Sequence, residues 1–126
     1  MVITLMLLAM ACVLVLAHEL GHVLLTHAMG GRWLGIEFRG FMLGVRLSVT
    51  SLSLRQVAWT LIAGPLAEAL VTFIAALIWP EHLRWWLVLL SVQWTLNLIP
   101  WGLIPNDGTR LLRLWLYGTT ESPGGR

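Results

Sequence analysis

The sequence predicts an all-α membrane protein with three transmembrane helices, a small β-hairpin and a short C-terminal helix. Hydrophobic residues make up 58% of the 126 residues and charged residues only 11%, whereas a soluble domain carries about 25% charged residues. Long uncharged runs recur along the chain, and about 20 apolar residues in a helix are enough to cross a bilayer. The chain has too few polar side chains to cover a water-facing surface.

The first predicted span covers residues 2–29. Residues 1–17 carry no charged side chain. Gly30 and Gly31 end the helix, because glycine favours helix C-termini. A cleaved signal peptide would begin with basic residues, which this segment does not have. We therefore expect the helix to remain in the protein.

A β-hairpin is predicted at about residues 34–52. Apolar and charged residues alternate in Ile36–Arg39, and apolar and polar residues alternate in Val45–Thr50. Successive side chains of a strand point to opposite faces, so this period of two is typical of β-structure. Gly40 and Gly44 bracket the predicted turn between the strands.

The second predicted span covers residues 55–79 and the third covers residues 83–100. Pro80 ends the second span. Pro65 predicts a kink inside it, because proline removes a helical hydrogen bond. Tryptophans near the connection between the two spans predict an aromatic belt at the membrane interface: Trp79, Trp85 and Trp86.

The C-terminal segment predicts one more short helix. Thr109 is a candidate cap for its first turn, and the helix is expected to end at Tyr117–Gly118. Residues 1–118 are expected to form one domain. Residues 119–126 are rich in small and polar residues and predict a disordered tail.

The arginines predict the orientation of the chain in the membrane. All eight Lys and Arg residues are arginine, and seven of them lie in the hairpin segment or near the C-terminus: Arg32, Arg39, Arg46, Arg55, Arg110, Arg113 and Arg126. The connection between the second and third spans holds only Arg84. By the positive-inside rule, the hairpin and the C-terminus are cytoplasmic and the N-terminus is outside. The absence of lysine together with abundant arginine, tryptophan and glycine favours a prokaryotic cell membrane. The arginines form no basic stripe, so nucleic acid is not an expected partner.

A metal-binding motif lies in the first span. Residues 18–22 read His-Glu-Leu-Gly-His. Residues four apart share one face of a helix, so His18 and His22 can point ring nitrogens at one metal ion. Glu19 lies beside them and can reach a metal-bound water, which is the zinc-and-base arrangement of metalloproteases. The alternative is a hydrogen-bonded histidine pair that only packs helices together.

Two acidic residues could complete this site. Ionisable groups are costly inside a membrane, so each one needs a partner or a function. Glu68 lies in the second span at a depth similar to that of the histidines, and Asp107 follows the third span in a proline-rich stretch. Irregular backbone at that depth is tolerated where it lines a cavity or is buried in protein. The residues alone leave open which carboxylate joins the histidines.

Three separated motifs resemble the site-2 protease family of intramembrane zinc metalloproteases. The first is residues 18–22, the second is Ala63–Ala67, and the third runs from Asn97 to Gly108. The family typically shows an asparagine, a proline-rich stretch and Leu-Asp-Gly in its third core helix. Here Asn106 replaces the leucine, and the interval between asparagine and aspartate is somewhat long. The likeness covers most of residues 10–115.

The resemblance implies a role for each matching residue. It implies that His18, His22 and Asp107 hold one Zn²⁺ per chain. It implies that Glu19 is the general base on the zinc-bound water, and that the hairpin presents an extended substrate. Glu68 departs from the family's usual asparagine and is either a supporting group or a competing ligand. The residues expected to bind substrate or to support the ligands are Asn97, Glu68, Gly64 and Pro65.

The sequence therefore predicts an intramembrane zinc metalloendopeptidase that hydrolyses peptide bonds in or near transmembrane segments of membrane-protein substrates. Its expected surroundings are the lipid bilayer and a transmembrane substrate, and a homo-oligomer could seal so small a bundle. Two other classes remain open. One is a metal-binding or metal-transporting membrane protein, and the other is a non-catalytic scaffold that binds transmembrane helices.

Overall fold

A computed structural model of the chain describes residues 1–39, 42–101 and 105–119. The elements, in chain order, are α1 (Val2–Ala28), β1 (Arg32–Arg39), β2 (Met42–Ser48), α2 (Leu54–Ile78), a 3₁₀ turn (Pro80–His82), α3 (Leu83–Leu98) and α4 (Asp107–Tyr117). The predicted helices and hairpin are therefore confirmed as elements. The predicted turn glycine Gly40 and all of the predicted tail except Thr119 lie outside the described residues.

α1 and α2 are long and apolar enough to cross a membrane. Only 17% and 39% of their most apolar stretches are buried within the chain, whereas a core helix of a soluble protein would be mostly buried. Their outward faces carry large apolar side chains, which a lipid environment would cover: Leu5, Leu8, Leu16, Leu20, Leu24, Leu66, Leu70, Phe73 and Leu77. These two helices indicate that the chain associates with a membrane.

α3 is shorter than the predicted third span. Its 16 residues correspond to about 24 Å of helix, less than the roughly 30 Å hydrocarbon core of a bilayer. The helix stops at Leu98 because Ile99 precedes Pro100, and the residue before proline is driven out of the helical conformation. Ile99 accordingly adopts an extended backbone with φ −78° and ψ 125°. The described residues thus contain two helices of spanning length, and the third span stays a prediction.

The small core lies where α1, α2 and α3 meet. Leu14 is fully buried there, and it packs in one cluster with Met10, Ala75 and Trp86. Trp86 was expected in an interfacial belt, but its side chain is only 6% exposed and fills the space between the helices. An indole in this position buries more apolar area than a smaller side chain would.

α1 and α2 pack closely through glycine. A Cβ built on Gly21 would lie only 2.8 Å from the Cβ of Ala67, closer than real Cβ contacts. Small residues permit this near contact of backbones, as they do in other membrane helix pairs. At its own start, α2 is held by a capping box, in which the Ser53 side chain accepts from the Gln56 N–H and Gln56 accepts from the Ser53 N–H.

The hairpin is antiparallel and spans residues 32–48, so it begins and ends earlier than the predicted 34–52, and Gly44, which was expected to flank the turn, lies within β2. Ile36 pairs with Val45 and Glu37 with Gly44, and the register shifts between Trp33 and Gly35. Gly35 has φ +131°, a conformation that only glycine adopts without strain, so it accommodates the bulge. β1 begins at Arg32, before the alternation of Ile36–Arg39 that predicted it.

α4 ends as predicted but begins differently. It runs from Asp107 to Tyr117, and Gly118 closes it in a left-handed conformation with φ +67°. The predicted cap, Thr109, is wrong, because Asn106 occupies that position and its Oδ1 accepts from the Thr109 N–H at 2.8 Å. Asparagine is among the best N-cap residues, since its short side chain can fold back onto the helix.

Candidate metal centre

Three side chains from two distant segments converge inside the helix cluster. His18 and His22 lie on consecutive turns of α1, and Asp107 is the first residue of α4. The Asp107 Oδ2 lies 2.9 Å from His18 Nε2 and 3.1 Å from His22 Nε2. The two Nε2 atoms are 3.0 Å apart. All three side chains are nearly excluded from solvent.

These three atoms fit a divalent metal ion. Zinc binds His nitrogen and carboxylate oxygen at about 2.0–2.2 Å in a tetrahedral arrangement, which would separate the ligand atoms by about 3.3 Å. The observed separations of 2.9–3.1 Å are close to that spacing. Among the described residues, His18, His22 and Asp107 form the group of side chains that could hold a metal ion.

Asp107 supplies negative charge to the group. Burial by itself would raise the pKa of its carboxyl, but hydrogen bonding to His18 and His22 outweighs burial and lowers the pKa to about 2. The carboxylate is therefore ionised at neutral pH. An anionic oxygen beside two imidazoles is the ligand set that a borderline cation such as zinc accepts.

His22 is oriented by the main chain of α2. Its Nδ1–H donates to the Thr60 carbonyl at 2.6 Å. A carbonyl oxygen can only accept, so this bond places a proton on Nδ1 and points Nε2 at His18 and Asp107. The Thr60 hydroxyl bonds elsewhere, to the Val57 carbonyl at 2.7 Å.

His18 is contacted from behind by a carboxylate of α2. Its Nδ1 lies 3.3 Å from Glu68 Oε1, and the Glu68 side chain is fully buried. Nδ1 and Nε2 point to opposite sides of an imidazole ring, so Glu68 lies behind His18 and away from Asp107. The sequence left open whether Glu68 competes as a ligand; in the structure its carboxylate faces the Nδ1 side of His18, and it is not part of the group formed by His18, His22 and Asp107.

Gly64 lets α2 approach both imidazoles. A Cβ at this position would lie 2.6 Å from His22 Nε2 and 2.8 Å from His18 Nε2. Any larger side chain would therefore displace the rings. Pro65 follows inside α2, which continues through it as one helix, and it is buried. Because proline has no N–H, it leaves the Leu61 carbonyl without its usual helical donor.

Asn106 fixes the segment that carries Asp107. Its Nδ2 donates to the carbonyls of Leu96 and Ile99, at 2.7 and 2.6 Å, where α3 ends. Its Oδ1 caps α4 at Thr109. One side chain thus joins the end of α3 to the start of α4. Gly108 lies directly against the Leu98 backbone, where a Cβ would not fit.

Glu19 connects the metal centre to the hairpin. Its side chain is half-buried, and its Oε2 accepts a hydrogen bond from the Val45 N–H of β2 at 2.9 Å. Val45 pairs with Ile36 on the other side of β2. The edge of β2 that is not paired with β1 therefore faces the metal centre.

A cavity of about 550 Å³ opens between the hairpin and the helices. Its wall includes the three candidate metal ligands, Glu19, the strand β2 from Gly44 onward, Asn97 and Arg110. Asn97, for which a role in substrate binding was expected, lies on this wall, and its Nδ2 donates to Gln93 Oε1 at 3.5 Å. The volume is within the range of pockets that bind small ligands or peptide segments.

Three site groups were missed by the sequence analysis: the Thr60 carbonyl, the Asn106 side chain and the Val45 N–H. One signal could have found the first. Thr60, Gly64 and Glu68 are spaced by four on α2, like the histidines on α1, so one face of α2 matches the metal face of α1. No comparable pattern marks Asn106 or Val45.

Comparison with known protein families agrees with the motifs. Residues 1–120 match the family described as Peptidase M50B-like. No curated protein and no solved structure matches the chain. Because the match covers nearly the whole sequence, the chain belongs to the Peptidase M50B-like family, a site-2 protease family.

Proposed function

We propose that this member of the Peptidase M50B-like family is an intramembrane zinc endopeptidase that cleaves peptide bonds in or near transmembrane segments of other membrane proteins. The observation that carries the proposal is the meeting of His18, His22 and Asp107 within about 3 Å of one another, beside Glu19 and among apolar helices. Two imidazoles and one carboxylate leave a fourth position for the reaction, as in catalytic zinc sites.

The metal and the base have separate tasks in this proposal. A bound zinc ion would lower the pKa of a water molecule and polarise the scissile carbonyl. Glu19 lines the same cavity, accepts the proton of the attacking water on its carboxylate, and returns it to the leaving amine. The water oxygen becomes part of the new carboxyl group, and the amine departs with the proton from Glu19.

The hairpin is the proposed binding site for substrate. A helical peptide bond is shielded by its own hydrogen bonds, so a transmembrane segment must unwind before it can be cleaved. The free edge of β2 offers main-chain groups to an extended segment, as in other cases of strand addition. A substrate strand that accepts from the Val45 N–H would replace the bond to Glu19 and free that carboxylate for the proton transfer.

The proposed orientation follows from the arginines. The hairpin and the C-terminus are placed on the cytoplasmic side, the N-terminus is placed outside, and α3 crosses as the third, shorter span. Water would reach the metal centre from the hairpin side, because the cavity lies between β2 and the helices.

The experiment that tests the function is cleavage of a transmembrane peptide by the protein reconstituted with zinc in vesicles. The substitution Glu19→Gln is expected to lower the rate by about 10²–10⁴-fold, the usual contribution of a general base, while zinc content stays at the wild-type level. Glu81→Gln is the matched control, since Glu81 is an exposed carboxylate in the turn before α3.

Each outcome decides between classes of function. Hydrolysis by wild type that Glu19→Gln abolishes supports the protease. Equal hydrolysis by both proteins removes Glu19 from the role. Zinc flux into vesicles without hydrolysis would indicate a transporter, and binding of the peptide without turnover would indicate a scaffold.

A further inference from the structure

The environment of Glu68 differs from that of every other carboxylate in the described part of the chain. Its side chain is 0% exposed, in a segment that is apolar on both sides. Neither of its oxygens has a hydrogen-bond partner among the described residues, and the same is true of His18 Nδ1. That nitrogen lies 3.3 Å from Glu68 Oε1, within hydrogen-bonding distance although poorly aligned for a hydrogen bond.

We infer that Glu68 is the positioning residue of His18: its carboxylate holds the Nδ1–H of the imidazole and thereby presents Nε2 to the metal. This inference deepens the proposed function, because it concerns the same metal centre. It assigns to α2 the task of orienting both histidines. The Thr60 carbonyl holds His22 Nδ1, and Glu68 holds His18 Nδ1 two helical turns farther on.

The helix geometry supports this pairing. α1 and α2 run antiparallel, so the partner of the earlier histidine lies later in α2. Thr60 and Glu68 are eight residues apart, with Gly64 midway, and a Cβ at Gly64 would touch both rings. Metal-bound histidines generally donate their other N–H to a carboxylate or a carbonyl, and the two histidines here use one of each.

Charge gives a second reason for a carboxylate at this position. Two imidazoles and Asp107 leave a divalent ion with a net positive charge inside an apolar medium, where uncompensated charge is costly. The Glu68 carboxylate brings a second negative charge to within one imidazole ring of the ion.

The test compares the zinc affinities of three variants by chelator competition on the full chain in detergent. Glu68→Met keeps the volume but offers no acceptor, and Glu68→Gln keeps an acceptor oxygen. Thr72→Val is the matched control, because Thr72 is another buried polar residue one turn along the same helix. We expect Glu68→Met to weaken zinc binding by about 10–100-fold, the usual effect of losing such a partner. Glu68→Gln should recover most of that loss, and Thr72→Val should match wild type.

A structural role would give a different pattern. Replacing a buried carboxylate by an apolar side chain of similar volume is often neutral or stabilising. If Glu68 positions His18, Glu68→Met should therefore unfold at the same or a higher denaturant concentration than wild type while it binds zinc less well. The ¹⁵N NMR signals of labelled His18 give a direct measure. The fraction of rings protonated on Nδ1 should fall in Glu68→Met and be restored in Glu68→Gln.

Wild-type zinc affinity and unchanged His18 signals in Glu68→Met would overturn the inference, and so would an equal loss of affinity in Thr72→Val. These readouts do not depend on catalysis. A wild-type protein that binds zinc but cleaves no peptide would end the proposed function and leave this inference standing. Normal cleavage by wild type, with no effect of Glu68→Met on zinc affinity, would support the proposed function and overturn this inference.

Discussion

The metal centre has two halves that are built in different ways. The histidine half is carried by the 27-residue helix α1. It is supported by α2, which packs against Gly21 of α1 and contacts the histidines at Gly64 and Thr60. The aspartate half is carried by the first residue of an 11-residue helix, α4, which hydrogen bonds of Asn106 attach to the end of α3. The first half is held by helix packing, and the second is held by one polar side chain.

This difference shows what each half needs. A spacing of four on a helix aligns two ligands without further support, because the helix itself sets their distance. A ligand that follows an irregular segment has no such guide, so its position depends on side-chain bonds that satisfy the exposed carbonyls and amides at the two helix ends. The histidine half should therefore respond to changes in volume, and the aspartate half to changes in hydrogen bonding.

The largest effect is expected from removing a ligand in either half. Asp107→Ala and His22→Ala should each weaken zinc binding by more than about 100-fold, beyond the range of about 10–100-fold seen when a ligand's supporting group is lost. Zinc content after purification, measured by metal analysis with Glu81→Gln as control, checks this expectation. Near-normal zinc in Asp107→Ala would show that the aspartate half is not part of the centre.

A smaller loss is expected when volume is added to the histidine half. Gly64→Ala places a methyl group less than 3 Å from both imidazole rings, so the rings must shift. Overpacking of this kind costs about 1–3 kcal/mol of unfolding free energy, and zinc affinity should fall with it. Gly44→Ala is the control, since a Cβ at Gly44 meets nothing within 4 Å. Both variants can be unfolded with denaturant and followed by tryptophan fluorescence.

The smallest loss of stability is expected from changing the cap of the aspartate half. Asn106→Ala removes the cap and both bonds to α3, and it should cost about 1–2 kcal/mol and weaken zinc binding. Ser53→Ala, which removes the cap of α2 far from the centre, should cost about 1 kcal/mol with zinc affinity unchanged. Asn106→Asp keeps an oxygen for the cap but loses the amide donors, so it separates the two tasks of Asn106. Equal zinc affinity in Asn106→Ala and Ser53→Ala would contradict the comparison.

The features that could be predicted from the sequence are local. Apolar length predicted α1 and α2, strict alternation predicted the hairpin, and the spacing of His18 and His22 predicted that they share a face. The motif resemblance placed Asp107 with them. Each of these signals is contained within a short stretch of residues, or in the order of a few such stretches.

The features that could not be predicted depend on groups far apart in the chain. The Asn106 side chain bonds to carbonyls ten and seven residues earlier, and these are available only because Pro100 stops α3. The Val45 N–H reaches Glu19 across 26 residues. Both bonds use main-chain atoms, which every residue possesses, so no residue type marks them. The length of α3 was overestimated because its apolar composition continues past the point where its helix ends.

The hydrogen bond between His22 and the Thr60 carbonyl affects how well each position tolerates mutation. Every amino acid carries a main-chain carbonyl, so the partner of His22 survives any mutation that leaves the helix intact. The partner of His18 is a side chain, and one base change in its codon can remove it. A saturation library should accordingly tolerate several small residues at position 60 and few at position 68, and it should tolerate no substitution of His18 or His22.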